Sequence, residues 1–225
     1  MKKAVIFDLF ETLVTEWGHE KYTKRQMSAD LQAPFEEFSA LWESLHEKQY
    51  RGEITFRESL RYVCGQLNIP VDEQLIEVMA AHRKKTKAAC FDFVLPEIYS
   101  VLKTLREREY KLGILSNCSQ EEVEILRSSS LASMTDCLVL SYEAGICKPD
   151  PEIYRLIAQK LNVACSDCLF IGDGGSRELY GAAQAGMQPY RAMWYIRQMP
   201  SLIKEQPKFE QLESPMKILN VLPAE

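Results

Sequence analysis

The residues from which chemistry could be built are Asp8 with Thr12, Ser116 with Asn117, Lys148, and Asp173 with Glu178. Each follows, or stands a little beyond, a short apolar run. Taken singly, each has an ordinary reading. A carboxylate after a strand turns or caps the chain, serine sits in many turns, and lysine before proline is common in loops. Taken together they offer carboxylates, hydroxyls and a cation. That combination suits a nucleophile, an oxygen-rich Mg2+ site and groups that hold an anion. It does so only if the chain brings them to one place.

The elements that would position them can be read from the apolar pattern. Ala4-Val5-Ile6-Phe7 is a short run with two β-branched residues, bounded by Lys2-Lys3 and Asp8. It fits a strand buried on both faces, as in a parallel sheet. After Phe91 the chain alternates between helix and strand. Residues 97–108 read as a helix with Ile98, Val101, Leu102 and Leu105 on one face. Leu112–Leu115 reads as a strand ended by Ser116-Asn117. Ser119 and Glu122 then form a capping box. Cys137–Leu140 is a third strand. Asp150-Pro151 starts a helix, with Ile153, Tyr154, Ile157 and Leu161 on its apolar face. Cys168–Ile171 is a fourth strand, followed by the loop Gly172-Asp173-Gly174-Gly175 and a helix closed by Gly186. Pro189–Tyr195 is expected as a fifth strand. The tail, with Phe209, Leu212, Ile218, Leu219 and Leu222, reads as a short helix on the core. Strands alternating with helices imply an α/β fold with parallel strands and right-handed crossovers. In such sheets ligands collect outside the carboxyl ends of the strands, where all the candidate residues fall.

Residues 16–90 differ. Phe35, Phe38, Leu41, Trp42 and Leu45 recur at helical spacing. Thr55 with Glu58 makes a capping box before Leu60, Val63 and Leu67. Asp72 precedes Leu75, Ile76 and Met79, and Pro34 and Pro70 punctuate. This is an all-helical insert of about four helices, which makes the core discontinuous: residues 1–15 plus 91–225. The basic run Arg83, Lys84, Lys85 and Lys87 could face a phosphate or a nucleic acid; the reading preferred is a solvated face near a helix C-terminus.

The totals bound the function class. A net charge of −5 over 225 residues makes no case for nucleic acid. No apolar run approaches the roughly 20 residues of a membrane span. The apolar stretch behind the two N-terminal lysines is too short for a signal peptide, so a cytoplasmic protein is expected. Seven cysteines then imply reduced thiols rather than a disulfide framework. Cys165 and Cys168 form C-x-x-C without a second pair at zinc spacing, and are read as structural. Nothing in the sequence sets an oligomeric state.

With the motifs in place, the chain resembles the haloacid dehalogenase (HAD) superfamily, in the form with a helical cap after the first strand. Four motifs carry the resemblance: Asp8-Leu9-Phe10-Glu11-Thr12; Leu115-Ser116-Asn117; Lys148-Pro149-Asp150-Pro151; and Gly172-Asp173-Gly174-Gly175-Ser176-Arg177-Glu178. The resemblance implies a Rossmann-like core and a hydrolase, most often of phosphoric monoesters, acting on a small phosphorylated substrate. It implies that Asp8 attacks phosphorus to give an aspartyl-phosphate. Thr12, Ser116 and Asn117 would hold the transferring group, and Lys148 would neutralise charge on Asp8 and on the phosphoryl oxygens. Mg2+ would be held by Asp8, the backbone carbonyl of Phe10, Asp173 and Glu178, the last directly or through water.

Two positions depart from the phosphatase pattern. Glu178 stands for the commoner aspartate. Phe10 stands where phosphatases carry the aspartate that serves as general acid and base, a role contributing about 10²–10⁴-fold. Glu11 or a cap residue could substitute. An aromatic at position 10 is typical of the family's metal-independent 2-haloacid dehalogenases, which stay as an alternative, as does a binding or regulatory protein on a weakened catalytic core. The acids at 173 and 178 favour the phosphatase, since carboxylates around Asp8 repel unless a cation sits between them. Cys118 is read as a turn residue rather than a reactive thiol. Substrate choice is expected from cap side chains, with Lys21, Lys24, Arg25, Arg51 and Arg57 as candidates.

Overall fold

The computed structural model describes residues 2–198 and 208–222. The chain opens with strand β1 (Ala4–Phe7), fully buried as its continuous apolar run requires. Helices α1 (Lys24–Asp30), α2 (Phe35–Tyr50), α3 (Phe56–Gln66) and α4 (Glu73–Ala89) follow. Helix α5 (Pro96–Glu107), β2 (Lys111–Ser116), α6 (Gln120–Ser128), the single turn α7 (Ser130–Ser133) and β3 (Cys137–Leu140) come next. The short α8 (Ser141–Ala144), α9 (Pro151–Lys160), β4 (Cys168–Gly172), α10 (Glu178–Gln184), β5 (Gln188–Ala192) and β6 (Gln211–Leu212) complete the fold. The sheet order is β3-β2-β1-β4-β5-β6, and every neighbouring pair is parallel.

β1 is central. Ala4 lies opposite Lys111 and Cys168, and Phe7 opposite Ile114 and Ile171. Its side chains alternate between two cores, as the two-residue period of a strand demands. Val5 and Phe7 join Ile98, Leu102 and Leu126 of α5 and α6 on one face. Ala4 and Ile6 join Ile153, Ile157 and Leu179 of α9 and α10 on the other. Helices on both faces of a parallel sheet confirm the α/β class.

The caps follow their sequence signals. Thr55 and Glu58 close a capping box, with the Glu58 carboxylate accepting from the Thr55 N–H at 2.8 Å. Asp72 accepts from the N–H groups of Gln74 and Leu75. Asp150 caps α9 ahead of Pro151. Helices α1–α4 share a third apolar core, including Phe38, Trp42, Leu60, Val63, Ile76 and Met79.

The tail forms the short helix expected of it, as a 3-10 helix over Pro215–Asn220 with Ile218 in the core, and before it supplies the two-residue β6. Two readings need correction. The fifth strand stops at Ala192, because Trp194 turns inward and donates its indole N–H to the Thr12 carbonyl at 2.8 Å. The basic run is only half solvated. Lys84 and Lys85 are exposed, but Arg83 and Lys87 turn toward α6. Arg83 pairs with Glu121, while Lys87 pairs with Glu16 and with Glu122, the latter at 2.7 Å. Three acids beyond the helix itself, invisible to local spacing, draw them in.

All seven cysteines are free thiols. Cys118 is buried and its thiol is pushed up by that burial, the opposite of a reactive thiolate. Among the described residues no helix is long and apolar enough to cross a membrane.

The paired charges can be ranked. Burial pushes the Glu122 carboxyl up, but Lys87 and Arg83 outweigh it and hold it below its ordinary range. Lys87→Met should therefore cost about 3 kcal/mol, by leaving Glu122 buried without its nearest cation. Lys84→Ala, which breaks an exposed pair with Glu124, should cost less than about 1 kcal/mol. Urea unfolding of both variants checks this; equal losses would mean Lys87 is as solvated as Lys84.

Candidate active site

The strand ends converge on one cavity of about 210 Å3. The Asp8 N–H donates to the Ile171 carbonyl at 2.8 Å, extending the β1–β4 ladder by one rung, so its side chain emerges at the carboxyl edge of the sheet. Thr12 donates its hydroxyl to Asp8 Oδ2 at 3.2 Å. Lys148, on the loop before α9, reaches across and donates from Nζ to Asp8 Oδ1 and to Glu178 Oε2. All four side chains are buried.

Asn117, just past β2, brackets the lysine. Its amide nitrogen donates to the Lys148 carbonyl at 3.0 Å, and its Oδ1 accepts from the Lys148 N–H at 2.8 Å. Ser116 is buried and donates to the Asn117 carbonyl at 3.3 Å. Asp173 follows β4, and its Oδ1 accepts from the Gly175 N–H at 2.9 Å. Glu178 opens α10, and its Oε1 accepts from the Gly174 N–H at 3.1 Å.

Two glycines make this approach possible. A Cβ on Gly172 would lie 2.1 Å from Glu178 Oε1. A Cβ on Gly181 would lie 2.4 Å from the Pro149 carbonyl and 2.8 Å from the Tyr154 ring and hydroxyl. That hydroxyl in turn donates to the Glu178 carbonyl at 2.8 Å. Neither position tolerates a side chain, so α10 and the Lys148 loop can close on each other.

The electrostatics follow from crowding. Burial opposes charge on Lys148, but Asp8 and Glu178 outweigh it and hold the ammonium well above its ordinary range. One cation cannot balance the carboxylates around it. Burial, and then Asp8, push the Glu178 carboxyl well up, and the same causes push Asp173 up. Ligand oxygens of Asp8, Asp173 and Glu178 lie within 4.8 Å of one another.

The structure thus brings together Asp8, Asn117, Lys148, Asp173, Glu178 and Phe10 along the cavity lining, with Thr12 and Ser116 buried beside them. Glu11, Glu16, Tyr50, Lys87 and Glu122 also line it. Glu11 faces in; burial pushes its carboxyl up, and it accepts from the Thr15 hydroxyl and the Glu16 N–H. Tyr50 and Lys87 come from α2 and α4 and were missed as site residues. Their spacing marks only a helix; which face meets the sheet edge is a long-range fact. None of Lys21, Lys24, Arg25, Arg51 or Arg57 lines this cavity.

Removing the shared cation should expose the crowding. Lys148→Met should lower stability by about 3–5 kcal/mol at about pH 8. With the ammonium gone, the carboxyls hold protons above their ordinary range, so the folded chain binds more protons than the unfolded one. Stability then falls as pH rises through that window and recovers on acidification toward about pH 5. Thermal unfolding across this range checks it; a loss independent of pH would contradict it.

Comparison with known proteins agrees with this geometry. The family model for haloacid dehalogenase-like hydrolases matches residues 2–186. The chain is 28% identical over 203 residues to glyceraldehyde 3-phosphate phosphatase of Pyrococcus abyssi, covering 87% of this chain and 82% of that one. It is 24% identical over 206 residues to haloacetate dehalogenase H-2 of Moraxella sp., covering 88% of each. Among solved structures, the 2-haloacid dehalogenase of Pseudomonas syringae aligns with a TM-score of 0.71 at 20% identity over 98% of both chains, a likeness of fold. The chain belongs to the haloacid dehalogenase-like hydrolases.

Proposed function

We propose that the protein is a Mg2+-dependent phosphatase of a small phosphorylated metabolite, working through an aspartyl-phosphate on Asp8. The carrying observation is the acid set of buried Asp8 and Glu178, paired with one ammonium, and half-buried Asp173 beside them. A set of hard oxygens whose carboxyls are pushed up by crowding is one that a divalent cation would relieve. The donors fit Mg2+: Asp8, Asp173 and the Phe10 carbonyl would hold it, with Glu178 direct or through water. When bound, the cation supplies charge neutralisation to the phosphoryl oxygens.

The chain's own residues account for the rest. An Asp8 oxygen attacks phosphorus, the bond to the leaving alcohol breaks, and the alcohol oxygen takes a proton. Water then attacks the same phosphorus, the Asp8–phosphorus bond breaks, and orthophosphate leaves with Asp8 restored. The Thr12 hydroxyl orients Asp8, and Asn117 fixes the backbone from which Lys148 reaches the nucleophile. Thr12 and Ser116 supply hydroxyls for the phosphoryl group. Glu11 is the group suited to replace the missing acid at Phe10, since it lines the cavity and burial pushes its carboxyl toward the protonated form. Residues 16–90 serve as a helical cap over the core of 1–15 and 91–225. Their separate apolar core, and the reach of Tyr50 and Lys87 into the cavity, support that division.

Phe10, with the dehalogenase relatives, favours a second reading: displacement of halide from a 2-haloacid. That chemistry leaves the Asp173 and Glu178 pair without a purpose.

Phosphate release from a panel of monoesters tests the proposal. Activity should need Mg2+, vanish with EDTA, and fall by at least about 10³-fold in Asp8→Asn. Survival of turnover in either case, or halide release from 2-chloropropionate without metal, would overturn it. Mg2+ should also raise the melting temperature by roughly 3–5 °C, and Asp173→Asn should abolish the rise. Glu11→Gln should slow esters of poor leaving groups about 10–100-fold while sparing p-nitrophenyl phosphate, whose leaving group needs no proton. Equal slowing of both would remove Glu11 as the acid.

A further inference from the structure

We propose that this site selects phosphate esters whose leaving group is uncharged or cationic, and rejects those carrying a carboxylate beside the phosphate. The inference rests on the phosphatase reading and names its substrate class. Among the described residues the cavity presents six carboxyl groups and two ammonium groups, and no guanidinium lines it. Both ammoniums are already shared. Lys148 lies between Asp8 and Glu178, and Lys87 between Glu16 and Glu122. A divalent cation on the acids beside Asp8 still leaves carboxylates in excess.

The two ammoniums divide the cavity. A phosphoryl group belongs at the Asp8 and Lys148 end. The leaving group therefore faces Glu11, Glu16, Tyr50, Lys87 and Glu122. Among the described residues Lys87 is the only cation lining that end, with Arg83 behind it paired to Glu121, and it stands 5.1 Å over the Phe10 ring with two carboxylates already on it. A third carboxylate, brought by substrate, would meet Glu16 and Glu122 with no unshared cation lining that end, among the described residues, to offset it. A hydroxyl or an ammonium meets the opposite situation. Carboxylate oxygens accept its hydrogens, and the Tyr50 hydroxyl, to which no hydrogen bond runs among the described residues, is open to either role. The size agrees: about 210 Å3 holds a phosphoryl group and a leaving group of a few heavy atoms. The same wall is hostile to a 2-haloacid, which is itself a carboxylate.

The test compares glycerol 1-phosphate, phosphoethanolamine and phosphoglycolate on the full chain with Mg2+. Each ester is read by kcat/KM or, where turnover is too slow, by its inhibition constant against p-nitrophenyl phosphate. Phosphoglycolate should be about tenfold worse than either of the others, or more. Glu16→Gln, at the less buried acid on Lys87, should narrow the gap severalfold by freeing part of that charge, a change in ratio that a purely structural role would not produce. Phosphoglycolate used as well as the neutral and cationic esters would overturn the inference and leave the phosphatase intact. Absence of any ester hydrolysis, p-nitrophenyl phosphate included, would overturn both.

Discussion

One ammonium held between buried carboxylates is the interaction on which the rest of the structure depends. Lys148 joins Asp8, at the end of the central strand, to Glu178, at the start of α10. Removing such charges from water costs several kcal/mol per ion, and the Coulomb attraction repays this only with excellent geometry. The pair is thus a poor source of stability and a strong constraint on position. The sheet, two loops and a helix must all be correct for the three groups to meet. The stability that tolerates them comes from the two apolar layers on either face of the sheet.

The positioning devices are backbone devices. Asn117 grips both backbone polar groups of Lys148, so the β2 end fixes the lysine loop. Gly172 and Gly181 remove the side chains that would hold α10 away. Tyr154 ties the first residue of α10 to α9 through the Glu178 carbonyl, and the Arg191 Nε donates to the Asp173 carbonyl at 2.9 Å from β5. Trp194 does the same for the Thr12 carbonyl. Thr12, Asp173 and Glu178 are thus held from behind by groups that do not line the cavity, and Lys148 by one that does, as a preorganised site requires.

This division explains what could be read in advance. Strand periodicity, the Thr55 and Ser119 capping boxes and the Asp150-Pro151 start are local signals, and each lies where its spacing puts it. Asp8, Lys148, Asp173 and Glu178 were legible because strand ends in a parallel sheet share one edge. Lys87 was not. Its neighbours Lys84 and Lys85 are solvated, and only the partners Glu16 and Glu122, contributed by other parts of the chain, turn it inward. Tyr50 was hidden for the same reason: helical spacing gives a face but not what the face meets. β6 was too short to carry a period, while the short helix that the apolar tail suggested is present, opened by Ser214-Pro215.

The second charged cluster then acquires a meaning that a stability argument alone would miss. Helices α1–α4 pack on their own apolar core, which shares no residue with the two cores of the sheet. Where α4 meets α6, ion pairs are prominent: Arg83 with Glu121, Lys84 with Glu124, Lys87 with Glu122. Separating apolar surfaces forfeits their burial outright. Separating ion pairs returns each charge to water, and that hydration offsets much of the lost attraction. Contacts of this kind hold a definite closed geometry and still part at modest cost. For the proposed reaction both properties matter, since the cavity must exclude bulk water while phosphorus is attacked and must then release a product. The Lys87 pairs serve both ends at once. They line the cavity that would receive the leaving group, and they sit on the contact that would have to open to let it go.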